Sequence, residues 1–151
     1  MSQITKHIMM IEPVSFRFNE ETAENNYYQK VIDGLSPEGT QEKALSEFTN
    51  FVDKLRSHGV NVIVVKDTES PDTPDSIFPN NWVSFHNDGK IGLYPMCAMN
   101  RRVERREDIF DTLVDDYGFH IDEIKDFTEF EKHDKFLEGT GSMILDRENK
   151  I

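Results

Sequence analysis

The chain has 151 residues, with 17 Lys+Arg against 29 Asp+Glu and a formal net charge of −12. That balance lacks the clustered cations that meet nucleic-acid phosphates or anionic lipid, so it argues against a nucleic-acid binder and against a polybasic membrane anchor. No apolar run exceeds four residues (Ile8 to Ile11, Val62 to Val65), too short for a transmembrane span or a signal-peptide core, and the single cysteine, Cys97, cannot close an internal disulfide, which suits a reducing, cytoplasmic compartment.

The first predicted element is a short strand over His7 to Glu12, stopped by Pro13. A polar stretch from Asn19 to Tyr28 follows, with Asn19 placed to cap a turn of helix. Thr40 to His58 is predicted helical: Ala44, Phe48, Phe51, Val52 and Leu55 share one face at a period of 3.6, Thr40 is the expected cap, and Gly59 stands where a left-handed stop wants glycine. The β-branched run Val60 to Lys66 predicts a buried strand, and Thr68 to Pro79, with three prolines, a loop. Trp82 to Phe85 and Ile91 to Met96 are expected to pair as a hairpin about Asn87-Asp88-Gly89-Lys90. A second helix is expected over Val103 to Tyr117, with Ile109, Phe110, Leu113 and Val114 inward and Gly118 closing it. Phe119 to Phe127 and Ser142 to Asp146 are the remaining strand expectations.

This order repeats. Phe51/Phe110, Leu55/Val114, Gly59/Gly118, Val65/Ile124, Lys66/Lys125 and Asp67/Asp126 each stand 59 residues apart, matching helix end to helix end, glycine to glycine and strand to strand. A period of that size suggests a module of one helix and about three strands, stacked around an axis. The segment Glu104 to Asp134 holds 12 acids and 4 bases, which is read as a solvated helix face and outer strand, with a surface for a basic partner as the alternative.

Three features carry chemistry. Pro74 to Trp82 places the carboxylate of Asp75 and the carboxamides of Asn80 and Asn81 beside Phe78 and Trp82. Phe136 to Ser142 places Glu138 between apolar residues and a glycine pair, where a partly desolvated acid can grip a cation or move a proton. By the repeat, the two loops occupy equivalent positions and would converge near the axis. Against this stands the plainer reading, in which Asp75 caps a turn and Glu138 merely starts a strand. The third feature is Arg101-Arg102 at an expected helix N-terminus, the unfavourable end of the dipole for a cation, which suggests either a task such as bidentate capture of a carboxylate or a plain solvent-exposed charged helix start. Cys97 is read as a small buried apolar residue, and His120-Ile121-Asp122 as a junction between helix and strand. No histidine, cysteine or acidic spacing matches a metal site.

The strings PDSIFPNNWVSFH, LYPMCAMNRRVERR and LEGTGSMILDR resemble the guanidino-group-modifying enzymes: arginine deiminase, dimethylarginine dimethylaminohydrolase and the amidinotransferases. The opening MIEPVSFRFNEETAENNYYQ resembles the bacterial branch of amidinotransferase-like, citrulline-utilization hydrolases. The resemblance implies an α/β fold: an α/β-propeller, or pentein, of five ββαβ modules around a polar channel. This single domain would hold about two to two and a half of them, roughly residues 1–67 and 68–126, with a third begun at 127–151. Ending straight after a strand expectation, the chain reads as the N-terminal half of such a ring, whose apolar module edges would favour self-association.

On these positions the resemblance implies that Asp75 contacts the amino-acid end of a small-molecule substrate. Phe78 matches the motif aromatic, and Asn80 lies in the same loop. Asn81 stands where the family usually has a guanidinium-binding Asp, and Glu138 is the second acid of that site. One of Arg101 and Arg102 binds the substrate carboxylate. The family needs no cofactor and attacks the guanidino or ureido carbon with a Cys, assisted by a His. Neither has a match here. The expectation is thus a substrate-binding part of a C–N hydrolase or amidinotransferase. The other classes are a non-catalytic amino-acid-binding module and an acidic interaction domain.

Overall fold

The structure is a computed structural model that describes residues 4–24, 26–31 and 33–149. Lys150 and Ile151, at the end read as interrupted, lie outside the described residues. The chain divides into two compact units, Ile4–Phe78 and a second from Pro79 onward.

In the first unit, strands β1 (His7–Glu12) and β2 (Asn61–Lys66) pair in parallel, in register from His7 with Asn61 to Glu12 with Lys66. Parallel neighbours need a crossover, and helix α2 (Pro37–Ser57) supplies it, after the single turn α1 (Glu20–Ala23). Asn19 caps α1 as expected, accepting the Glu21 N–H. The cap of α2 is Ser36, not Thr40. The Ser36 hydroxyl accepts the Gly39 N–H at 3.1 Å and Pro37 occupies the first helical position, where its missing N–H costs nothing. Gly59, at φ +80°, ends the helix in the left-handed region.

Ile11, Val52, Val62 and Ile63 form the buried core of this unit. Phe51, expected inward, is 53% exposed. The covered face of α2 is centred one position round, toward Val52 and Gln41, and the Gln41 side chain donates to Pro13 O and accepts the Phe16 N–H.

The second unit opens with a 3-10 turn, Pro79–Asn81, then strands β3 (Val83–Phe85) and β4 (Lys90–Leu93), antiparallel about Gly89 at φ +74°. Two short helices follow, α3 (Met99–Arg102) and α4 (Asp108–Asp115), then β5 (Glu123–Asp126), parallel to β4. A 3-10 stretch, Thr128–His133, and a last turn of helix, α5 (Gly139–Ser142), complete it. Trp82, Val83, Ile91, Tyr94, Met96, Ile109, Phe110 and Leu113 are buried together, and the Trp82 and Phe110 rings lie 6.2 Å apart.

The expected helix over Val103 to Tyr117 is broken. Residues 103–107 are not helical, and around them Arg101, Arg105 and Arg106 pair with Glu104, Glu131 and Asp108. Val114 is exposed rather than inward, since α4 is short and turns its face through Ile109, Phe110 and Leu113. The strand expected at Ser142 to Asp146 does not form. The chain is helical to Ser142, and no strand among the described residues runs beside residues 143–146. All four residues of β5 are exposed.

The 59-residue correspondence has a structural counterpart. Each unit carries a parallel strand pair joined through a helix and a left-handed glycine, Gly59 or Gly118. Val65 and Ile124, 59 apart, pair with Ile11 and Ile91, both buried.

Candidate functional site

Glu138 is the centre of a polar cluster in the second unit. The 3-10 turn after Pro79 delivers Asn81, and the turn into α5 delivers Glu138. The Asn81 Nδ2 donates to Glu138 Oε2 at 3.0 Å. The Cys97 backbone N–H donates to the other oxygen, Oε1, at 3.0 Å, and Arg101 Nη1 stands 3.8 Å from Oε2. The side chain keeps 22% of its surface exposed, so the carboxylate is held from several sides and still reaches solvent.

The glycine pair makes this approach possible. Gly139 is at φ +42°, and a Cβ there would overlap Asn80 O and lie 3.0 Å from both Asn81 O and the Tyr94 ring. A Cβ on Gly141 would overlap Asn81 Nδ2 and lie 3.0 Å from its Cγ. Without side chains at these two positions, the backbone of α5 lies flat on the Asn80-Asn81 turn.

Arg101 lies in the single turn α3, not at the start of the longer helix α4. It is buried, and its Nε and Nη2 donate to the two oxygens of Glu104 at 2.9 and 3.0 Å. Arg102 donates to Met96 O and Cys97 O and packs over the Phe136 ring. Glu131 takes Arg105 through both oxygens and also accepts the Met96 N–H. Two acids of the supposedly solvated stretch, Glu104 and Glu131, are therefore enclosed by arginines. Cys97, expected buried, is exposed. Its neighbour Met96 fills the core in its place, leaving Cys97 to contribute its backbone N–H.

Asp75 belongs to the first unit and is only 2% exposed. Its carboxylate accepts Asn19 Nδ2 at 2.7 Å, Thr22 Oγ1 at 3.0 Å and Gln29 Nε2 at 3.0 Å, fastening the 19–29 segment to the Pro74–Phe78 loop. Gln29 also lines a cleft of about 570 Å³ with Phe16, Phe18, Tyr28, Leu35 and Phe78. Nearby, Arg17 pairs with Asp72 and hydrogen-bonds it, holding that carboxyl below its usual range. Asn80 is exposed, and its carbonyl accepts the Thr140 hydroxyl. Among the described residues, no three His, Cys, Asp or Glu side chains gather as a metal site. No described helix is long and apolar enough to cross a membrane.

Sequence reasoning missed Glu104, Glu131, Thr22 and Gln29 as polar partners. The Arg101–Glu104 spacing of three is a legible pairing signal. The long-range contacts of Gln29 and Glu131 have none.

The family model for eukaryotic N,N dimethylarginine dimethylhydrolase matches residues 12–151. The chain belongs to this family, and with it to the guanidino-group-modifying superfamily, as an N-terminal portion. Among solved structures, it is similar to apo ArgZ, an arginine dihydrolase from the ornithine-ammonia cycle in cyanobacteria. The identity is 22% and the TM-score 0.57, over 94% of this chain and 19% of that one. The N-terminal domain of an ArgZ variant, covalently bound to a reaction intermediate, matches at 20% and 0.57, over 93% of this chain and 45% of that one. AgrE, in a ternary complex with ornithine and NAD+, matches at 20% and 0.58, over 95% of this chain and 19% of that one. At these identities the likeness carries the fold. The chain spans about a fifth of the matched ArgZ and AgrE chains and under half of the ArgZ N-terminal domain. A comparison with curated proteins finds no match.

Proposed function

We propose that this chain is the substrate-binding part of a cofactor-independent hydrolase or amidinotransferase acting on the guanidino or ureido C–N bond of an arginine-like or citrulline-like amino acid. The Cys nucleophile and the His lie outside its 151 residues, so the chain by itself turns over none of these substrates. Family membership and the arginine-dihydrolase fold relatives support the class. The observation that carries the reading is the Asn81–Glu138 hydrogen bond. It brings together two residues, 57 apart in sequence, to which the resemblance assigns the grip on the reacting group.

In this reading Glu138 faces the nitrogen end of the reacting group, and Asn81 sets its charge preference. Two carboxylates here would favour a guanidinium. With an amide in place of one, a guanidinium loses a charged partner worth about 3 kcal/mol, while a neutral ureido group keeps a donor and an acceptor opposite its own carbonyl and N–H. Arg102, the more exposed of the arginine pair, is assigned to the substrate carboxylate, with Asn80 lining the approach. Asp75 serves as the anchor of the 19–29 segment, since its carboxylate already accepts three donors of its own chain.

The test is calorimetric titration of the chain with citrulline and with arginine, native and Asn81→Asp. Citrulline is expected to bind more tightly to the native chain, and the substitution to shift the ratio toward arginine by at least tenfold. A native chain that prefers arginine, or an unmoved ratio, refutes the charge argument. No binding of either ligand refutes the proposed site.

A further inference from the structure

Arg101 is shared by two carboxylates, and the sharing is unequal. Glu104 takes Nε and Nη2 in a fork at 2.9 and 3.0 Å, whereas Glu138 Oε2 is 3.8 Å from Nη1. Both members of the fork are almost wholly enclosed, with side-chain exposures of 6% and 1%. A guanidinium presents its donors in one rigid plane, so a partner that occupies the Nε–Nη2 edge fixes where the remaining nitrogen points. Glu138 in turn keeps one oxygen for Asn81 and the other for the Cys97 N–H. If Arg101 were released from Glu104, its fork could close on Glu138 directly, at which point the carboxylate would be neutralised and its two weaker donors displaced.

We infer that Glu104 is a positioning residue for Glu138, acting through Arg101: it holds the guanidinium edge away, so that Arg101 orients the Glu138 carboxylate without claiming it. This deepens the proposed function and rests on that reading for its consequence, that Glu138 stays available to a ligand. The positioning itself stands on distances within the chain.

Two protons report directly on Glu138: the Asn81 side-chain amide and the Cys97 backbone amide. Their ¹H–¹⁵N signals are followed by NMR in the native 151-residue chain, in Glu138→Gln and in Glu104→Gln. The Glu104 substitution keeps shape but loses charge and one acceptor. It is expected to shift both reporter signals by at least half as much as Glu138→Gln does, with the amides of Ile109 and Leu113 in α4 unmoved. Changes confined to residues 99–106, with Asn81 and Cys97 in place, overturn the inference. Where Glu104→Gln does not fold, Arg101→Lys, which keeps the charge and loses the fork, is read by the same signals. The ligand arm is separate. Arginine affinity is expected to fall about tenfold in Glu104→Gln, with citrulline affected less. Reporter shifts without any ligand binding in the native chain would sink the proposed function while leaving the positioning role intact.

Discussion

Substituting Gly141 by Ala tests the site through a single methyl group. A Cβ at this position overlaps Asn81 Nδ2 and comes within 3.0 Å of Asn81 Cγ. The carboxamide must retreat by about 1 Å to restore ordinary contact, which stretches its 3.0 Å bond to Glu138 beyond hydrogen-bonding range. A hydrogen bond to a charged acceptor contributes about 1.5–3 kcal/mol, and solvent reaching the partly exposed Glu138 puts this one at the lower end. The backbone works in the opposite direction. Gly141 lies inside α5 without a positive φ, and Gly→Ala in a helix gains up to about 1 kcal/mol. The two effects nearly cancel in stability and do not cancel in binding. The urea midpoint should therefore stay close to native, while citrulline binding by calorimetry weakens about tenfold and the Asn81 side-chain amide signal moves. Unchanged affinity with an unmoved Asn81 signal would refute the close packing of α5 on the Asn80-Asn81 turn. A large loss of stability would show that Gly141 supports the fold rather than the site.

Trp82→Ala removes a ring that is 1% exposed and packed on Phe110, so unfolding in urea should show a loss of about 3–5 kcal/mol. An unchanged midpoint would contradict the core of the second unit. Burial, followed by the charge of Arg147, lowers the His86 pKa from 6.5, so the folded state binds fewer protons than the unfolded chain just below that pH. Stability should fall as the pH drops from about 6.5 through the folded value, and His86→Asn should lack that component when midpoints at about pH 7.5 and about pH 5.5 are compared with native. Equal pH dependence in both chains would refute it.

The elements legible in the sequence are those whose causes are local. His7–Glu12 reads as a strand because a short apolar run meets a proline, and Gly59, Gly89 and Gly118 sit at the positive φ that their turns demand. The errors fall where another partner, near or far, outweighs the first local preference. Thr40 is a sound cap by type, but Ser36 followed by Pro37 is a better one four residues earlier. The Val103–Tyr117 pattern has a helical period, yet residues 103–107 are not helical, and Arg105 there pairs with Glu131, 26 residues on.

The site shows the same division at finer grain. Asn81 and Glu138 could be linked from sequence because the expected repeat of 59 residues matches their loops, and the two side chains are hydrogen-bonded. Which arginine faces outward could not be read from Arg101-Arg102, since adjacent residues on a helical turn point about 100° apart and only the position of Glu104 settles which one turns inward. A carboxylate three residues after the first arginine is ordinary surface pairing when exposed. Enclosed as here, it decides how much of Arg101 reaches Glu138. Charge in this site is consequently set by geometry as much as by composition. Two acids, one guanidinium and one amide leave a single carboxylate facing solvent, and under the proposed function the identity of residue 81 decides what that carboxylate can hold.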